Sequence, residues 1–404
     1  MHVSPTRRQF LAASAGIGAH LLEPLHRLEA AVCPVRITDV DVFRIEIPIP
    51  QEQVQQGRMN RYVVCRIDTS VGVRGYSFAG PDPRTLDSTI RPALIGEDLF
   101  AIERHLENGA GRWNGLEHAI WDAIGKIANR PVYELLGGGN PRIKVYLTTV
   151  WFGNQDQSHV SYDEQAEIAV KFKEAGFKGM KIRAWRPNPM DDARACRVIR
   201  DAVGSDFAIM FDRTAHAPEA GGQKIWDYDT ALRVARAFED NGAYWLEEPF
   251  ARDEFVLPAK LAREVDMPIT GGEGLFGLEP FREALTHGAY DIVQPENRRS
   301  GGIWICRKVA ALAEAFHVPC VLHGTMSLML AGALQISTAI NAEWQEFVFI
   351  RPPLMPEEVW SPGLEVLKTK EMYRLAEGHI HVPELPGIGL DVDEAALERF
   401  RVAG

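Results

Sequence analysis

AIMFD (208–212), AYWLE (243–247) and MPITGGE (267–273) are three short apolar runs that each end in a carboxylate: Asp212, Glu247 and Glu273. Short apolar runs separated by helical stretches read as buried parallel strands, and a parallel sheet delivers its strand ends to one side. A charge at such an end is costly unless something positive lies against it. Three in succession point to a divalent cation, with oxygen ligands from neighbouring strands and positions left open for substrate.

The same texture continues on both sides. VYLTTVW (145–151), GMKIRA (179–184), DIVQPE (291–296), PCVLHG (319–324) and EFVFI (346–350) bring the candidate strands to eight. Helical stretches such as DEQAEIAVKFKEAG, DARACRVIRDAVG, DTALRVARAFEDNG and GIWICRKVAALAEAF lie between them. The fold class is therefore α/β, a (β/α) barrel over 140–351, and enzymes on this architecture keep their chemistry at the C-terminal strand ends. Ahead of it, VRITDVDVFRIEIPI and RYVVCRIDTSVGVRGYSFAG alternate like strands, and WNGLEHAIWDAIGKIANRPVYELLGG is helical. Strands first and helices after define a small α+β domain over 34–139. The polar stretch PIPQEQVQQGRMN between its strands reads as a loop over a site, and the tail, 352–404, is expected to pack back on this domain.

Alignment of strand ends brings further groups to the mouth. Lys181 and Arg183, two residues apart on strand two, share a face, and two cations beside a metal suit a substrate carboxylate and the charge that develops on it. Arginine keeps its proton, so only Lys181 of the pair can act as a base, and only with a lowered pKa. His323 on strand seven follows Glu296 on strand six; a carboxylate holding one ring nitrogen would orient the imidazole as a general acid or base. Glu346 on strand eight contacts substrate or neutralises the strand-two cations, with Glu343 the competing choice. His216 has a loop or substrate role, Glu248 faces away from Glu247, and Arg58, Gln51, Asn60, Trp151 and Trp185 are loop candidates for substrate binding.

A net charge of −11 over 404 residues argues against nucleic acid as the main partner. The cysteines, Cys33, Cys65, Cys196, Cys306 and Cys320, are scattered and fit core thiols rather than a zinc site or a disulfide framework. Thr6-Arg7-Arg8-Gln9-Phe10-Leu11 followed by AASAGIGAHLL resembles a twin-arginine export signal over 1–33, which implies a periplasmic or secreted protein; without it the chain would be cytoplasmic. No stretch approaches the length of a membrane span, and a homo-oligomer is expected.

KIR, FD, WLEEPF, GGEG, QPENRRSGG and LHGT, in this order on strands two to seven, resemble the enolase superfamily and within it the mandelate racemase subgroup. The resemblance runs from about Val35 to the end. It implies a modified (β/α)7β barrel with an N-terminal capping domain, Mg²⁺ on Asp212, Glu247 and Glu273, a Glu296–His323 dyad, and Glu346 on the enolate side. It also implies abstraction of a proton α to a carboxylate through a metal-held enediolate, with capping-domain loops near 47–60 and 78–86 selecting the substrate. Two positions depart from the pattern: Glu296 stands where aspartate is usual, and Arg183 where the second lysine base is usual. The strand-six lysine of cycloisomerase and dipeptide-epimerase relatives is replaced by Glu296. A one-sided acid/base set favours dehydration of a sugar acid to a 2-keto-3-deoxy acid. The alternatives are a cycloisomerase or epimerase with Lys181 as the opposing base, and a carboxylate-binding protein that has lost turnover.

Overall fold

The computed structural model describes residues 33–139, 141–151, 153, 157–214 and 224–402. His216 and, but for its last residue, the expected export segment lie outside the described residues. An antiparallel sheet opens the fold, β1 (Ile37–Glu46), β2 (Arg61–Thr69) and β3 (Arg74–Ser77) in that order. Helix α1 (Leu116–Ala128) lies on β3, and Gly75 permits the contact: a Cβ there would come within 2.0 Å of the Ala119 carbonyl oxygen. The expected loop at 47–60 carries a short helical turn at Gln51–Gln55.

The barrel strands follow as β4 (Arg142–Thr149), β5 (Gly179–Arg183), β6 (Ala208–Asp212), β7 (Trp245–Glu247), β8 (Ile269–Gly271) and β9 (Ile292–Val293), each parallel to the next. β10 (Trp344–Ile350) returns parallel to β4. Between them run α2 (Tyr162–Glu174), α3 (Pro189–Val203), α4 (Tyr228–Asp240), α5 (Val256–Ala262), α6 (Glu279–His287), α7 (Ile303–Ala315) and α8 (Leu330–Ala339). Helix α4 shows why they form: Asp227 caps its start by accepting from Thr230 N at 2.8 Å, and Ala231, Val234, Ala235 and Phe238 bury one face at helical spacing.

PCVLHG departs from the expected strand. Val321 N and His323 N donate to Val293 O and Pro295 O, each at 3.0 Å, but only a single bridge, Thr325 to Phe347, joins this segment to β10. The ladder is thus not continuous around the ring. The tail does more than cover the first domain. β11 (Arg374–Ala376) and β12 (His379–His381) form a hairpin whose second strand pairs antiparallel with the start of β4, while Glu394 reaches Arg74 and Val402 N donates to Arg44 O. The described residues from Arg36 onward belong to one compact unit.

The barrel floor positions the site. Tyr146, Met210, Trp245, Ile292, Val321 and Trp344 form one buried cluster in the barrel interior, with Tyr146 edge-on to Trp245 at 5.1 Å. Side chains two residues apart on a strand share a face. One step of two from each floor residue stand Thr148, Asp212, Glu247, Gln294, His323 and Glu346, so the apolar floor carries a polar layer directly above it.

Candidate active site

Lys181, fully buried, is the centre of that layer. Its Nζ lies 2.7 Å from Glu247 Oε2, 2.7 Å from Glu346 Oε1 and 3.7 Å from Asp212 Oδ2, over the Tyr146 ring at 5.6 Å. Burial alone would lower its pKa, but Glu247, Glu346 and Asp212 outweigh burial and raise it. The condition for Lys181 to act as a base, a lowered pKa, is not met in this arrangement. Arg183 pairs with Asp212, which also accepts from the Thr214 hydroxyl. Gln294 Nε2 donates to Glu247 Oε2 at 3.0 Å, and Thr148 donates to Glu346.

Glu273, just past β8, receives Arg252, Arg299 Nη1 at 3.2 Å and His323 Nε2 at 2.7 Å. Burial works against its ionisation, yet His323, Arg252 and Arg183 hold its carboxyl well below the usual range. For His323 the balance is reversed in sign: burial pulls the imidazole down, and Glu273 and Glu346 raise it to about 9.

The expected Glu296–His323 pair is not formed. Glu296 is fully buried, but its carboxylate accepts from Arg298 N at 2.9 Å and Arg298 Nε at 3.1 Å, and pairs with Arg299 Nε at 3.3 Å. Asn297, with its amide oxygen turned to Ala333 N, adds a donor at 3.0 Å. The two arginines that follow Glu296 in the chain fold back on it, and among the described residues His323 Nδ1 is left buried without a partner. Glu273, not Glu296, holds the histidine.

Other expectations sort by geometry. Glu346 lies inside and Glu343 outside, the latter paired with Lys144 at 2.9 Å. Glu248, in left-handed backbone (φ 44°), turns off the strand to accept from Arg252 Nε at 3.2 Å and Gly272 N at 3.1 Å. Arg58 is not among the residues that line the cavity; its loop is held by Met59 N to Val359 O at 2.9 Å, past the end of β10, and by Asn60 Nδ2 to Ile47 O at 3.0 Å.

A cavity of about 270 Å³ opens above the layer. Arg183, Glu273, Arg298, Arg299 and His323 are its charged lining residues, and Trp151, Trp185, Val348 and Phe349 are apolar ones. Among the described residues no capping-domain side chain lines it. Thr148, Gln294, Arg252 and the Arg298–Arg299 pair are site residues that the sequence reading passed over. The step of two from the floor would have found the first two; nothing local marks Arg252.

The donor set fits a hard divalent cation. Oxygen ligands from Glu247 and Glu273 and a nitrogen of His323 lie within 4.8 Å of one another, with Asp212 beside Glu247 in register. Burial, with Asp212 and Glu346 adding, pushes the Glu247 carboxyl up despite Lys181. Asp212, Glu247 and Glu273 would hold the metal.

Residues 37–137 match the mandelate racemase/muconate lactonizing enzyme N-terminal domain, and residues 163–396 match the enolase C-terminal domain-like family. The chain belongs to the mandelate racemase/muconate lactonizing enzyme group of the enolase superfamily. It is 28% identical to arabinonate dehydratase of Saccharolobus solfataricus, over 84% of this chain and 90% of that one. It is 27% identical to 3,6-anhydro-alpha-L-galactonate cycloisomerase of Streptomyces coelicolor, over 90% and 98%. Among solved structures, D-glucarate dehydratase from Agrobacterium tumefaciens complexed with magnesium matches with a TM-score of 0.78 and 25% identity, over 91% of this chain and 99% of that one.

Proposed function

We propose that this chain is a Mg²⁺-dependent hydro-lyase that dehydrates a sugar acid to a 2-keto-3-deoxy acid. One observation carries the reading: His323 lines the cavity, whereas Lys181 is enclosed by three carboxylates and does not. A single accessible proton carrier among the described residues suits elimination better than a two-base racemisation. Two dehydratases among the relatives support the same class.

Mg²⁺, when bound, supplies a Lewis acid beside the substrate carboxylate. Arg183 adds positive charge at that end. His323, which can act as the base only in its neutral form, takes the proton from C2, the electron pair forms the C2–C3 double bond, and the C3–oxygen bond breaks. The imidazolium returns its proton to the departing hydroxyl, which leaves as water. The enol then gains a proton at C3 as it loses one from oxygen, giving the keto acid. Trp151, Trp185 and Phe349 give the cavity apolar lining.

A stereochemically complete panel of aldonic and aldaric acids, incubated with protein and Mg²⁺ and assayed for 2-keto acid, tests this. Keto-acid formation on at least one member is expected. An isomer of unchanged composition would instead favour cycloisomerisation, the second reading, which the Streptomyces relative supports. We also propose twin-arginine export, supported by Arg7 and Arg8 ahead of a small apolar stretch, and a homo-oligomer without a nucleic-acid partner, the latter supported by the net charge of −11.

A further inference from the structure

Helix α7 starts directly after the strand-six loop, and it has no cap of its own, since Gly302 (φ 103°) offers no side chain. The cap comes from the other domain. Glu117 on α1, 1% exposed, accepts from Trp304 N at 3.1 Å and from Trp121 Nε1 at 3.1 Å. A carboxylate at the first amides of a helix satisfies donors that the helix leaves free and meets its positive end. Glycine at 302 is what admits it: a Cβ there would fall 1.8 Å from Glu117 Oε2.

Neighbouring contacts grip the same segment. His118 Nε2 lies 3.3 Å from Asn297 O, and burial lowers its pKa to about 4, so the ring is neutral and donates. Gly111 approaches so closely that a Cβ on it would lie 2.7 Å from Gly301 O. Glu103 accepts from Trp304 Nε1 at 2.6 Å and pairs with Lys308 at 2.5 Å. The loop between these anchors, 296–302, carries Glu296, Arg298 and Arg299, and the two arginines line the catalytic cavity.

We propose that Glu117 and His118 are positioning residues: they fix the backbone of 296–302 from the capping domain and thereby set Glu296, Arg298 and Arg299 against the cavity. Neither touches substrate. The capping domain, which contributes no described residue to the cavity wall, acts on it through this loop.

Backbone hydrogen exchange and steady-state kinetics on Glu117→Ala and Glu117→Gln test the proposal. The kinetic arm rests on the proposed dehydration; the exchange arm needs no substrate, so a wild type that turns over no sugar acid would sink that reading and leave this one decided by exchange. In Glu117→Ala, exchange across 296–305 rises roughly tenfold or more, and kcat falls about 10- to 100-fold with Mg²⁺ affinity unchanged, as for other residues that orient a catalytic group. Glu117→Gln keeps an acceptor oxygen and restores both. Exchange unchanged at 296–305, Mg²⁺ affinity lost in step with kcat, or a Gln variant as impaired as the Ala variant would each overturn the proposal. Should the Ala variant not fold, His118→Phe, which removes only the donor to Asn297 O, must show the same localised rise.

Discussion

His323 joins two sets of contacts: it lies 2.7 Å from Glu273 and 3.9 Å from Glu346, and it opens on the cavity. Removing a general acid/base costs about 10² to 10⁴ in rate. His323→Asn should therefore lose turnover on that scale while Mg²⁺ affinity, measured calorimetrically, stays at the wild-type value. Joint loss of turnover and metal affinity would make His323 a ligand rather than a proton carrier. At this scale the sequence was legible in part. Asp212, Glu247, Glu273, Lys181 and Arg183 could be placed because each ends a recognisable apolar run. The partner of His323 could not. Glu296 sits at the expected strand end, but its carboxylate is claimed by Arg298 and Arg299, and the preference of a carboxylate for guanidinium donors two and three residues away is not a matter of strand position. Arg252 comes to Glu273 from a loop with no periodic signal.

Among elements, the strand pattern was readable because the barrel interior repeats in steps of two: Met210 then Asp212, Trp245 then Glu247, Trp344 then Glu346. Strand seven obeyed the composition rule and failed the pairing rule. Its approach to β10 is too close for a side chain at 324, where a Cβ would lie 2.4 Å from Glu346 O, and Gly324 N donates to Glu346 Oε2 at 2.7 Å. Gly324→Ala should push His323 and Glu346 apart. Overpacking of this kind costs about 1–3 kcal/mol, so denaturant midpoints and kcat should fall together; a variant with wild-type values of both would mean that the segment yields freely.

For the molecule as a whole, the two domains meet through buried ionisable groups that no local pattern announces. Glu117 has a consequence for pH. Burial, only partly offset by donors from Trp121, Trp304 and Ile303, raises its carboxyl from 4.5 to about 7. The folded chain then binds this proton more tightly than the unfolded chain. The associated stability is present below about pH 4.5 and is lost as pH rises to about 7. Against Glu117→Gln, which does not titrate, wild type should lose thermal stability progressively across that window. A difference in Tm that stays constant over the window would contradict the assignment.

The central claim is that one proton carrier drives loss of water from a sugar acid. The most direct measurement is turnover of a sugar acid in deuterated water with Mg²⁺, followed by NMR. The account predicts a 2-keto-3-deoxy acid carrying deuterium at C3, formed by the wild type and not by His323→Asn. Deuterium entering C2 of a substrate that keeps all its oxygen, or an isomer of unchanged composition, would contradict it.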